Sequence, residues 1–339
     1  MSLTPPKKFD LRCETSTCAP HRLQHHTARM VRIAAVVVTH DRPELLQRVI
    51  NALHAQARPC DRIFIVDNAS GTVTQALLEP LTGLTVLRSD INLGGTGGFT
   101  LGLKRACAED YDWIWLLDDD AIPRLDALAE LENALCHVPG RIGAVCGTVR
   151  EFGQVATMHR RMFTPLLGRE ATVSTTDYAE PMVAIDTGSF VGFMVKATAV
   201  ASVGLPDPAF FLAYDDTDYS LRLKHAGFGI WLIPSCIVDH MRTATGRLRS
   251  TEFGPKHYFN VRNRIVVKKR YARLPGLAGM SAWLFGLGLW LRSPGRFQRH
   301  SWRILARAVS DGHHGRLGRY PRALEVDIPM IATISPAQS

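Results

Sequence analysis

Residues 33–39, IAAVVVT, are an unbroken apolar run, rich in β-branched side chains, that ends on a polar residue. A run of this kind suits a strand buried on both faces, which occurs in parallel sheets covered by helices. The unit recurs. Arg62–Asp67 (RIFIVD) is a second such strand and leads into Asn68-Ala69-Ser70-Gly71, and Trp113–Leu117 (WIWLL) is another that leads into Asp118-Asp119-Asp120. Between them, Pro43–Ala55 carries Leu46, Val49, Ile50 and Leu53 at helical spacing, Thr74–Leu81 reads as a short helix, and Leu84–Arg88 as a strand. The glycine-rich NLGGTGG (92–98) precedes a helix expected from about Phe99 to Ala108, and Ile122–Leu135 reads as helical again. This βαβαβαβ order predicts an α/β fold, a mostly parallel central sheet with helices on both faces. Ligands of such sheets bind beyond the carboxyl ends of the strands. Thr39-His40-Asp41, Asp67-Asn68 and the aspartate triplet are therefore expected to meet in one crevice.

Further along, Ile142–Val149 and Ala184–Val195 read as strands, with a looser basic stretch, His159-Arg160-Arg161, between them. Asp215–Ala226 reads as a helix with Gly227 at its C-terminal cap, and Ile230–Ile233 and Cys236–His240 as two short strands divided by Pro234. Seven cysteines lie scattered with no CxxC, which points to reduced thiols rather than a disulfide framework. The expected organisation is a polar tail (1–30) without a secretory signal, an α/β domain (31–255, divided near residue 120), a helical region (256–325) and a second tail (326–339).

Four groups of residues carry chemistry. The triplet Asp118-Asp119-Asp120 goes beyond what a helix cap requires, since adjacent like charges repel unless a cation or hydrogen-bond donors compensate them. In strand geometry Asp118 and Asp120 share a face while Asp119 turns aside. Carboxylate oxygens are the ligands hard divalent cations prefer. On the triplet alone, metal binding and solvated capping both remain open. The second group, Asp215, Asp216 and Asp218 in FLAYDDTDY (211–219), stands at a helix start, where acids also complement the helix dipole. The third is His240, ending CIVDH; a lone histidine is more often structural than a ligand. The fourth is the glycine cluster at 94–98, which departs from GxGxxG and follows the third strand rather than the first, so it reads as a tight turn or as backbone close to an anion.

Taken together, VVVTHDRP, IVDNAS, NLGGTGGF, WLLDDD, FFLAYDDTDYSLRL and VDH resemble a family 2 glycosyltransferase of the GT-A fold over roughly residues 31–270. NLGGTGGF and the triplet are most similar to actinobacterial galactofuranosyltransferases, with rhamnosyltransferases next. The resemblance implies an inverting, metal-dependent transferase that takes a sugar from a UDP- or dTDP-linked donor. Asp118, Asp120 and His240 then match the ligands of Mn²⁺ or Mg²⁺, and Asp216, paired with Asp215, the catalytic base. Thr39, Asp67, Asn92, Gly94, Gly95 and Asp119 fall on the donor side. Two other readings compete. A sugar-nucleotide nucleotidyltransferase would want a basic, glycine-rich loop after the first strand, where this chain has THDRPEL. A non-catalytic nucleotide-sugar-binding protein would not need Asp216.

Charge is unevenly spread. Residues 241–320 hold 17 Lys/Arg against two acids, Glu252 and Asp311, while the remainder holds 23 Lys/Arg against 29 Asp/Glu. An anionic partner is expected for that basic part. Nothing like a zinc-finger spacing or an RNA-recognition signature supports nucleic acid. Leu274–Leu291 is uncharged but contains Pro275 and four glycines, and as a helix from Leu277 it reaches only about 22 Å against a roughly 30 Å hydrocarbon core. Arg296, Arg299, Arg303 and Arg307 are expected on one face of a following amphipathic helix. The region is therefore expected to lie on an anionic membrane surface, at the cytoplasmic face, which suits a lipid-linked or polysaccharide acceptor.

Overall fold

The parallel half of the sheet comes first in the chain. In the computed structural model, which describes residues 31–242, 248 and 251–325, β1 (Ile33–Thr39), α1 (Pro43–His54), β2 (Arg62–Asn68), α2 (Thr72–Leu78), β3 (Thr85–Ser89), α3 (Gly94–Cys107) and β4 (Trp113–Asp118) alternate as the apolar runs predict. The two expected tails lie outside the described residues. β1 pairs in parallel with both β2 and β4, with Thr39 beside Asp67 and Val38 beside Asp118. That register sets the polar strand ends level along one edge.

The second half adds β5 (Ala121–Pro123), α4 (Ala127–Leu135), β6 (Ile142–Glu151), β7 (Gln154–Val155), β8 (Arg160–Thr164), β9 (Arg169–Thr172), β10 (Val183–Ile185), β11 (Thr187–Gly188), β12 (Phe193–Lys196), α5 (Ala197–Val203), α6 (Asp215–His225) and β13 (Gly229–His240). The main sheet runs β10-β13-β6-β12-β4-β1-β2-β3, with β5 on β13 and β7 on β6, while β11-β8-β9 form a small second sheet. β12 lies antiparallel between β4 and β6, and β6 and β13 are parallel. One apolar layer packs α1 and α4 against the sheet, and the opposite layer packs α3, α5 and α6.

Several expected boundaries move. Residues 121–123 are strand rather than the start of a helix, because they pair antiparallel with the end of β13, His240 opposite Ala121. The run 184–195 breaks into three short strands around Asp186 and the positive-φ Gly192. β13 continues through Pro234 by a register shift between Ile233 and Ile237, the irregularity at which a strand tolerates proline. Arg296 precedes α9 (Arg299–His313) and is not on its face. α3 begins at Gly94, five residues early, so the glycines are helix, not turn. A Cβ at Gly98 would press on Val38 and one at Gly102 would collide with Val36, so these glycines let α3 lie close on β1.

α7 (Pro255–Tyr271) carries much of the basic stretch, yet Tyr258, Val261, Arg262, Asn263 and Ile265 are almost fully buried. With α8 (Pro275–Arg292) and α9 it forms a third apolar cluster, and Val266 and Val267 join Phe163, Phe210 and Leu221 of the sheet-bearing body in a fourth. Among the described residues no helix is long and apolar enough to cross a membrane.

Gly102→Ala is expected to destabilise the fold by about 1–3 kcal/mol in urea denaturation, the usual range for overpacking. Gly276→Ala, where an added Cβ meets nothing, should be neutral or slightly stabilising.

Candidate active site

A partly exposed carboxylate, Asp118, and a buried one, Asp120, approach each other at the end of β4. Asp118, Asp120 and His240 can each offer a ligand atom within 4.8 Å of the others. His240 is there because β5 pairs with β13, a pairing reinforced where Met241 N donates to the Asp120 carbonyl at 2.8 Å. Asp119 turns aside, accepting from Thr39 Oγ1 at 2.9 Å and from Arg42 at 3.2 Å. Arg42 also reaches Asp120 Oδ2 at 2.8 Å. Burial, and then Asp120 alongside, push the Asp118 carboxyl up to about 7. Burial works against the Asp120 carboxylate too, but His240 and Arg42 outweigh it and hold Asp120 below the usual range. Burial raises Asp119 as well, against the pull of Arg42 and Thr39, so of the three acids only Asp120 is fully compensated.

Behind the ligand set stands a relay. Glu151 Oε1 accepts from His240 Nδ1 at 3.0 Å and from His159 Nε2 at 3.0 Å, and His159 Nδ1 meets the Ser189 hydroxyl at 2.7 Å. Burial pushes His159 down to about 4, so it is neutral, with Nε2–H donating to Glu151 and Nδ1 accepting from Ser189. Glu151 is held down to about 2, chiefly by His159. With Nδ1 committed to Glu151, His240 turns Nε2 toward Asp120, 3.1 Å away. Burial opposes its protonation, but Asp120 and Asp118 outweigh that and raise the imidazole above its ordinary value. An imidazolium there stands where a cation would neutralise the same acids. Two carboxylates and a backed imidazole nitrogen are a donor set that fits a divalent ion.

The second acidic group lies on the other side of His159, whose ring is 5.4 Å from that of His240. Asp216 lines a cleft with Met158, His159, Arg161, Tyr214 and Asn260. Burial raises Asp216, while Arg161 nearby works the other way. Burial and Asp216 push Asp215 up to about 7, and Asp118 adds to that rise, so the two acidic groups act on one another. Asp216 Oδ1 accepts from Thr217 N at 2.6 Å. Asp218 is buried in ion pairs with Arg222 and Arg270 and serves the fold.

Of the residues expected on the donor side, Thr39 is tied to Asp119, as above. Asp67 is buried, one oxygen accepting from Ser70 N at 2.9 Å and the other 3.3 Å from Arg88. Asn92 Oδ1 accepts from Gly94 N at 2.8 Å, and Asn68 bridges Leu93 N and the Gly94 carbonyl. Gly94 has φ +73° and no room for a Cβ against the Phe211 carbonyl, whereas a Cβ on Gly95 meets nothing. Arg160, expected in a loose segment, is fully buried and donates to the carbonyls of Gly147 and Val191.

Sequence reasoning missed Glu151 and Arg42. Glu151 closes β6, two residues beyond the expected end at Val149, so the rule of polar strand ends applies to it as well.

A parallel half-sheet with acids at its strand ends, extended through an antiparallel strand to a second acidic group, is the GT-A architecture. Its solved likenesses agree in fold: GalNAc-T7 with UDP, GalNAc and Mn²⁺ superposes with a TM-score of 0.54 at 12% identity over 84% of this chain and 57% of that one. S. aureus TarS 1-349 in complex with UDP gives 0.52 at 12% identity over 88% and 83%. The family model for glycosyl transferase family 2 matches residues 34–199. Galactofuranosyltransferase GlfT1 of Mycolicibacterium smegmatis is 31% identical over 258 residues, 68% of this chain and 81% of the relative. GlfT1 of Mycobacterium tuberculosis is 30% identical over 267 residues, 74% and 86%. The chain belongs to glycosyl transferase family 2, on the galactofuranosyltransferase-like side of it.

Glu151→Gln removes the carboxylate that orients His240. Mn²⁺ affinity, read from the electron paramagnetic resonance signal of free Mn²⁺, is expected to weaken by about 10–100-fold, the usual effect of losing such a partner.

Proposed function

We propose that this glycosyltransferase is an inverting, metal-dependent galactofuranosyltransferase that uses a UDP-linked donor. The observation that supports it most directly is the convergence of Asp118, Asp120 and His240 beside the Asp216 cleft. Asp118, Asp120 and His240 Nε2 would hold Mn²⁺ or Mg²⁺, which compensates the charge of the departing diphosphate. Thr39, Asp67, Asn92, Gly94, Gly95 and Asp119 would shape the donor side. Asp216 takes the proton from the acceptor hydroxyl as its oxygen attacks the anomeric carbon and the bond to the diphosphate breaks. A burial-raised carboxyl is better matched to that proton than an exposed one. One displacement from the opposite face inverts the anomeric centre. A dTDP-linked rhamnose donor is the second choice.

For the acceptor we propose a lipid-linked glycan, met at an anionic membrane surface. Leu277, Met280, Leu284 and Leu291 are exposed at helical spacing on α8 with Trp283 and Phe285 beside them, and Arg292 and Arg299 follow. An exposed apolar row flanked by basic residues suits a helix lying in the headgroup region. Because α8 and α9 also complete the core around α7, point substitution tests this better than deletion.

Asp216→Asn should fold and bind UDP with Mn²⁺ while losing about 10²–10⁴-fold in turnover, the span of general-base catalysis. Near-wild-type turnover removes Asp216 from the mechanism. Offering UDP-galactofuranose and dTDP-rhamnose in parallel, with the product anomer read by NMR, decides donor and stereochemistry. Leu277→Ser with Leu284→Ser should abolish co-sedimentation with anionic vesicles. Unchanged sedimentation counts against the surface.

A further inference from the structure

The segment ahead of the base is bent in a way its sequence does not favour. Phe211, Ala213 and Tyr214 have φ of 65°, 64° and 64°, three non-glycine residues in the left-handed region within four positions. Each such residue is disfavoured on its own and persists only where its surroundings hold it. Asp215 and Asp216 follow immediately, so this bend sets where the base stands.

The holder is α7. Asn263 Nδ2 donates to the carbonyls of Phe210 at 3.1 Å, Leu212 at 2.8 Å and Ala213 at 2.8 Å. Arg262 Nη2 donates to the Phe210 carbonyl at 3.0 Å, its Nη1 to Gly318 at 2.6 Å, and its Nε to Asn263 Oδ1 at 2.7 Å. Both side chains are fully buried. The remaining carbonyls are occupied as well: Ala209 accepts from Gly318 N at 2.7 Å, and Phe211 from Thr96 N at 3.4 Å in the first turn of α3. Arg319, next to Gly318, donates to the Asn92 carbonyl at 2.7 Å. The bend is therefore gripped by α7 and the 318–319 segment on one side and rests on the glycine helix on the other.

We propose that Arg262 and Asn263 are positioning residues for the transfer reaction: they hold the 209–214 bend and through it the base. The basic C-terminal helices thereby take part in catalysis apart from any contact with membrane. The inference rests on the reading of Asp216 as base. Nearly every polar atom of the pair that can donate is directed at backbone carbonyls of this bend or of the segment that covers it. A pair that only filled the core would have no need of such directed donors. Substitution should therefore disturb turnover while sparing UDP–Mn²⁺ binding, whose acids, Asp118 and Asp120, stand at the end of β4 and just beyond it.

The test compares Asn263→Ala and Arg262→Lys with wild type in the full-length chain. Lysine keeps the charge but loses the planar fork that spans Phe210 and Gly318. Each variant is checked by thermal melting and by UDP–Mn²⁺ affinity, then for kcat, donor KM, and hydrogen exchange of residues 209–216. The expected result is a kcat loss of about 100-fold for Asn263→Ala, the effect of a misplacement near 1 Å. Arg262→Lys should lose less. Donor KM should stay within about threefold and exchange should quicken in 209–216 alone, a local opening rather than global unfolding. If Asn263→Ala fails to fold, Arg262→Lys carries the test. A kcat within threefold of wild type in the folded variants, or a loss of UDP–Mn²⁺ affinity in step with kcat, overturns the proposal. Wild-type turnover in Asp216→Asn together with a kcat loss in Asn263→Ala would sink the base assignment and leave the grip standing.

Discussion

Like charges brought together out of water set the terms for the rest of the molecule. Asp118, Asp119 and Asp120 leave the end of a buried strand, where dielectric screening is weak and mutual repulsion is strong. Asp119 is stabilised by Thr39 and Arg42, and Asp120 by Arg42 and His240. Burial nevertheless raises both Asp118 and Asp119, Asp118 to about 7. The protein has removed most of the repulsion but kept a remainder that a divalent cation would take up. His240 supports this only because Glu151 fixes which of its nitrogens faces the acids.

Much of this was legible from residue order. The β-branched runs at 33–39 and 62–67 and the aromatic run at 113–117 could hardly be anything but interior strands, and parallel topology then brings together residues 80 positions apart. The pairing of Thr39 with Asp119 is that convergence at atomic scale. Other features lay beyond periodicity. β5 has three residues, too few to show a period, and exists because β13 offers it a partner. α3 starts among glycines that local propensity excludes from helices, and their absent side chains are what allow contact with Val36 and Val38. Asn263 gives no local signal, since its partners are main-chain carbonyls about 50 positions away.

The C-terminal region shows how composition can mislead when basic residues of one stretch face opposite ways. Its net positive charge is read from sequence as facing outward, and α8 does carry an exposed apolar row followed by exposed Arg292 and Arg299. Arg262, in the same basic stretch, is fully buried and directed at carbonyl oxygens and at the faces of Tyr258 and Phe259. The same helices therefore present a surface to the outside and a lattice of donors to the inside. Charge counting registers only the first.

The bond from Arg319 to Asn92 joins positions 227 apart. The strands β1 to β4 are contiguous and form a sheet from nearby partners, so they can assemble as the chain leaves the ribosome. The imidazole at 240, the amide at 263 and the guanidinium at 319 arrive only later. Until they arrive, the acids at 118 and 120 lack the imidazole that faces them, and the 209–214 bend lacks the donors that hold it.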